Sequence, residues 1–246
     1  MTAVELYRWN GELSGAMWET LGHVEVLLRN ALADRMAARQ QRLGRSMSWL
    51  EDPTVGLDRR GRDDVAKAQR RVRAKRKPTS DGQVISELSF GFWRFLLARR
   101  YQGQLWPDLA TGFPHAPSRR RQVVKDPVVR LHEFRNRLAH HQRVWSEPVA
   151  ARLEDCLLLT GFIDPAVRDW IAATSPVRPS SLPVPDPGRR WTAHARPTGF
   201  RRARRTIGYR DRAAFRRPGH HPLAVTLWPR PGGGSWWPCN SHACPS

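Results

Sequence analysis

The sequence predicts an all-α protein. Apolar residues recur at helical spacing from the start of the chain to about Thr174. No stretch sustains the alternation that marks a strand, and the apolar segments begin and end on helix start and stop signals. Beyond Ser175 the character changes: 13 arginines, no lysine, two aspartates and 12 of the chain's 20 prolines follow, and a segment of that kind does not fold alone. The expected organisation is therefore a helical domain over residues 1–177 and a disordered, basic Arg/Pro-rich tail over 178–246.

Taken in order, Leu13, Met17, Leu21, Val24, Leu28 and Leu32 form one stripe of a long first helix. Gly11, Gly15 and Gly22 weaken its propensity and are expected to permit close packing. A second helix is expected over 62–77, stopped by Pro78. Its basic end reads equally as an RNA contact or as a solvated face with cations favoured at a helix C-terminus. Ser80 with Gln83 resembles a capping box opening a third helix, which runs through Phe90, Phe92, Trp93 and Phe95, an aromatic cluster read as core. Residues 106–117 read as a loop, and the basic run 119–121 as a turn. Asp126 and Pro127 suit the N-cap and first position of the next helix, and Asp164 and Pro165 do the same for the last of two closing helices, over 148–160 and 165–174.

A formal net charge of +20 on 246 residues points to a polyanionic partner. The segment beyond Ser175 carries +11 of this charge, so the helical region is basic without it. That segment reads as a phosphate-binding arm or as the product of a shifted reading frame in a GC-rich gene. The apolar runs around Leu27 and Leu157 are interrupted by charge well short of a bilayer span, and the prolines of the basic tail argue against an amphipathic membrane helix. No basic-then-apolar leader opens the chain, so a cytoplasmic location is expected. The three cysteines, Cys156, Cys239 and Cys244, suggest no disulfide framework. Cys239, His242 and Cys244 lack a second ligand pair, so neither metal nor other cofactor is expected.

The chemistry concentrates in Phe134-Arg135-Asn136-Arg137-Leu138-Ala139-His140-His141. Asn136 and His140 are four apart and share a helix face, so the amide can orient the imidazole, while the long side chain of Arg135 can converge on the same spot. Arginine offers a permanently charged fork to phosphate oxygens, and histidine exchanges a proton near neutral pH. Together they suit cleavage of a phosphodiester by the adjacent ribose 2′-hydroxyl, with His140 moving a proton and Arg135 stabilising the charge that builds on phosphorus. RNA is then the required substrate. One histidine is few for two proton transfers, and a two-fold dimer supplies a second motif, giving one composite site per dimer. The bland alternative is that His140 or His141 simply caps the helix end, where the dipole favours it.

These residues resemble the motif of the HEPN superfamily, and within it the bacterial Abi-like proteins of abortive infection. Similarity extends to Val24-Glu25-Val26-Leu27-Leu28-Arg29-Asn30, to Leu88-Ser89-Phe90-Gly91-Phe92-Trp93 with Leu105-Trp106-Pro107 after it, and to Thr160-Gly161-Phe162-Ile163 through Trp170, covering most of residues 1–177. The resemblance implies a HEPN-type helical bundle that dimerises and cleaves RNA without metal, with Arg135, Asn136 and His140 matching the motif position by position. It also implies a toxin or phage-defence role, with which an antitoxin or other regulatory partner is compatible. Arg137 and His141, beside the motif, are taken as RNA contacts or helix-end residues. Glu25 and Arg29, four apart on the first helix, are taken as support, pairing with each other or reaching the cleft. The rival reading is a non-catalytic RNA-binding or protein-interaction module. The tail departs from the family pattern.

Overall fold

A computed structural model describes residues 3–75, 80–144 and 146–177, and among them eight α-helices and no strand occur. The chain divides into two units at 194/195, and every described residue belongs to the first. The tail expected over 178–246 lies outside the described residues, as do Cys239, His242 and Cys244.

The spine is α1 (Ala3–Arg42), about 60 Å long at the helical rise. Its stripe from Leu13 to Leu32 is buried throughout and continues into Met36. Along this stripe pack α4 (Phe90–Leu96), α5 (Trp106–Leu109), α6 (Arg121–Ala139) and α7 (Val149–Ile163); α8 (Pro165–Thr174) closes onto α7. α2 (Arg59–Ala74) and α3 (Asp81–Glu87) pair with each other at one side, and α2 reaches α4. None of the described helices is long and apolar enough to cross a membrane.

Several boundaries differ from expectation, each for a local reason. α2 begins at Arg59 because Asp58 caps it, accepting from the Gly61 N–H while also binding the Tyr101 hydroxyl and Arg100. The expected third helix is two: Ser89 accepts from the Phe92 N–H and starts α4 afresh after α3 has ended. That re-aims the aromatic cluster so that Phe90, Phe92 and Trp93 enter the core, Trp93 meeting Phe92 edge-on at 5.0 Å, while Phe95 remains partly exposed beneath the Arg60 guanidinium. Within the expected loop over 106–117, α5 forms a single turn.

α6 also starts earlier than Asp126, at Arg121. The Arg121 guanidinium is buried and donates to the Leu97 carbonyl, anchoring this first turn to the end of α4. Pro127 consequently sits inside the helix, where the lack of an N–H removes one bond of the ladder, at a cost of about 3 kcal/mol for an interior position. Burial of Val124, Val128, Leu131, Phe134 and Leu138 along one face offsets that cost. Asp164 and Pro165 cap α8 as the sequence suggests, Asp164 accepting from the Ala166 N–H.

Gly11, Gly15 and Gly22 do not serve packing among the described residues: a Cβ added to any of them would meet nothing within 4 Å. All three lie on the outer face of α1 together with exposed Tyr7, Trp18 and Val26, at successive spacings of three or four residues.

Candidate functional site

The helix that carries the motif is fixed by its apolar face, and the motif occupies what that face leaves over. With Phe134 and Leu138 in the core, the 3.6-residue period turns Asn136 and His140 away from it, with His132 one turn earlier on the side toward α4. Arg135 emerges on the flank facing α1, whereas Arg130 and Arg137 emerge on the flank facing α7. The motif therefore straddles the helix.

On the α1 flank, the Arg135 guanidinium carbon lies 5.1 Å from the Trp18 ring centroid, within cation–π range. Its Nε is buried without a hydrogen-bond partner among the described residues. Trp18, Glu25 and Arg29 are seven and four residues apart, so all three lie on the outer face of α1. Burial pushes the Glu25 carboxyl above its ordinary value, and the positive charges of Arg135 and Arg29 oppose the shift without cancelling it. Burial lowers Arg29, with Glu25 opposing. Glu25 thus feels the charges of Arg29 and of the motif arginine together.

The other flank opens into a cleft of about 510 Å³, whose lining includes Asn136, Arg137, His140, Arg130, Arg152 and Glu147. Its guanidinium groups are largely engaged. Arg130 forks onto Asp155 through Nε (2.9 Å) and a terminal nitrogen, Arg152 reaches the same carboxylate at 2.8 Å, and Arg137 pairs with Glu147 at 3.3 Å. Arg135 is not among the cleft's lining residues, so within one protomer it does not converge on the spot that Asn136 and His140 share.

His140 is the C-cap of α6, exposed, its backbone N–H closing the helix onto the Asn136 carbonyl at 3.0 Å. Neither ring nitrogen bonds another described residue. His141 follows in the left-handed region at φ 51°. The His141 and Gln142 N–H groups donate back to the Leu138 and Arg137 carbonyls, at 3.0 and 2.9 Å, which is the Schellman arrangement with histidine where glycine is usual. Three residues on, the Val144 N–H donates to the Asn10 side chain of α1 at 2.8 Å, and the Val144 side chain is wholly buried. The loop leaving the site is thereby tied down.

Asn136 makes a different contact from the one its spacing suggests: its amide nitrogen lies 3.5 Å from Nδ1 of His132, not against His140. His140 closes the helix as its C-cap, whereas His132 lies one turn before Asn136. His132 is half-buried at the α4 interface, its ring 5.7 Å from that of Phe90. Burial lowers its pKa, Arg94 and Arg135 lower it further, and Glu133 opposes them. Sequence reasoning missed His132, although it stands four residues before Asn136 just as His140 stands four after. The α2 basic end is partly spent on structure, since Arg71 donates to the Glu87 carbonyl and Lys75 pairs with the Glu87 carboxylate. Arg70 and Arg73 face outward. No protein-family model, curated protein or solved structure matches the chain.

Proposed function

We propose that this protein is a HEPN-type, Abi-like endoribonuclease that acts as a homodimer and cleaves RNA without a metal ion. The observation that carries the reading is the end of α6, where an arginine with an unbonded, buried Nε, an outward asparagine and an exposed histidine with no hydrogen-bond partner among the described residues occur within six positions. In the proposed reaction the 2′-hydroxyl attacks the adjacent phosphorus, His140 transfers a proton to or from the reacting oxygens, and Arg135 stabilises charge on the phosphorane.

Within one protomer Arg135 does not line the cleft that holds His140, so the reading requires a second copy to complete the one composite centre of the dimer. The outer face of α1 is where that copy docks in this proposal. Three glycines in one helix cost roughly 3 kcal/mol of propensity, their positions are open, and exposed Trp18 and Val26 flank Gly22. Arg135, resting on Trp18, borders the same face, which makes it continuous with the motif. A toxin or phage-defence role follows from the resemblance, and a regulatory partner that covers the cleft is compatible with it.

The separation of Arg135 from the cleft favours one second reading, a non-catalytic RNA- or protein-binding module. His140→Ala in the full chain distinguishes them: a ribonuclease loses cleavage while keeping its dimer mass and RNA affinity. Loss of affinity in a parent protein that never cuts supports the binding module.

A further inference from the structure

An asparagine side chain presents a donor at one atom and an acceptor at the other, so whatever binds its nitrogen decides which way its oxygen faces. The Asn136 nitrogen lies 3.5 Å from Nδ1 of His132, and Asn136 also lines the 510 Å³ cleft, which His132 does not. We propose that His132 is a positioning residue of the site: by accepting from the Asn136 amide it turns the Asn136 carbonyl oxygen into the cleft, where that oxygen accepts a hydrogen bond from the ribose 2′-hydroxyl. The inference rests on the ribonuclease reading and names what, within it, separates RNA from DNA.

The arrangement demands a particular form of the imidazole. Nδ1 accepts only when unprotonated, so the ring is neutral and carries its proton on Nε2. Nε2 in turn faces the start of α4, where a Cβ added to Gly91 would lie 3.4 Å away, and the ring is held at 5.7 Å from Phe90. The charged groups around it are Arg94 from α4 and Arg135 and Glu133 from α6, two cations against one anion, and with burial they disfavour the imidazolium. Protonation sets donor against donor and forces the amide to flip, presenting NH₂ to the cleft in place of the oxygen. Because the folded pKa is lowered, that flip is confined to pH below the ordinary histidine value of 6.5.

Two measurements on the full chain test this. In the first, histidine-selective ¹⁵N NMR, with the His132 signal assigned through His132→Asn, is expected to show a neutral Nε2–H tautomer titrating below 6.5. In the second, the His140→Ala protein, which does not cut in this reading, binds a mixed-sequence RNA 12-mer and the DNA 12-mer of the same sequence. RNA is expected to bind about tenfold more tightly at pH 7.5, the worth of one hydrogen bond. Adding His132→Leu removes that ratio without weakening DNA binding, and His132→Asn, whose oxygen stands in for Nδ1, restores it. A proton on Nδ1 overturns the proposal whatever the RNA result. The expected tautomer with an unchanged RNA-to-DNA ratio in His132→Leu overturns the role toward the 2′-hydroxyl. A wild-type chain that neither binds nor cuts RNA overturns the ribonuclease reading instead, and with it the proposed ligand of Asn136.

Discussion

The guanidinium of Arg135 rests 5.1 Å from the ring of Trp18, an aromatic side chain that is 45% exposed. An arginine held on a half-open tryptophan is positioned without having its hydrogen-bond donors consumed. Trp18→Ala removes a cation–π contact worth about 0.5–1 kcal/mol at such a site together with the partly covered apolar area of the indole, so urea unfolding should show a modest loss of stability. Cleavage should fall by tenfold or more, because Arg135 loses its platform, and Trp18→Phe should recover most of it. Equal cleavage by Trp18→Ala and the parent would remove this role from Trp18.

Gly22 offers a test of the α1 face. Its Cβ position is open, so Gly22→Leu should leave the protomer intact, and the gain in helix propensity is about 0.8 kcal/mol. Measured in dilute protein, the melting temperature should hold or rise. Analytical ultracentrifugation should then show the dimer weakened and cleavage lost with it. A Gly22→Leu protein that remains dimeric and active would place the interface elsewhere.

His141 holds a backbone conformation that suits glycine, at φ 51°. His141→Gly should stabilise the chain by about 1 kcal/mol in a denaturant titration. A loss of stability would mean that the imidazole contributes more than its backbone costs.

Asp52 is expected to contribute to the loss of stability in acid. The hydrogen bond from Gln40, then that from Thr54, hold its carboxyl well below the ordinary 3.8, and Arg45 adds to the effect while burial opposes it. A depressed folded pKa contributes stability that is fully present above the unfolded value and lost as pH falls through the folded one. Asp52→Asn should therefore lower the melting temperature at pH 7, and the deficit should shrink steadily below pH 4. A deficit that is independent of pH would assign the effect to packing.

Cys156 should be inert. Burial pushes its thiol up to about 12, with Asp155 adding to the shift. Iodoacetamide at pH 8 should leave it unlabelled in the native protein and label it in denaturant, read by site-resolved mass spectrometry. Native labelling at the denatured rate would show that α7 opens readily.

Much of the scaffold was legible because one period dominates it. The stripe from Leu13 to Leu32 is apolar at nearly every helical return, and all six named positions are buried. The Asp164–Pro165 start of α8 was readable because a cap and a φ-restricted residue act locally. The start of α6 was not, because Asp126–Pro127 is an equally good local signal and the anchoring contact of Arg121 comes from Leu97. The break at Ser89 was hidden inside an apolar run that reads as continuous. Arg135, Asn136 and His140 were proposed from residue type, spacing and the family resemblance, yet spacing is symmetric about Asn136. Only the termination of α6 at His140 and the packing of His132 against α4 decide which histidine the amide meets. The glycines of α1 were visible, but the close packing expected of them does not occur among the described residues.

The central claim is tested most directly by incubating the full chain with total RNA in excess chelator and analysing the product ends beside the His140→Ala protein. Cleavage by the parent alone, leaving 2′,3′-cyclic phosphate and 5′-hydroxyl ends, is the expected result, since attack by the 2′-hydroxyl creates both. No cleavage across several RNA pools with the dimer confirmed, or cleavage that appears only on adding a divalent metal, would contradict it.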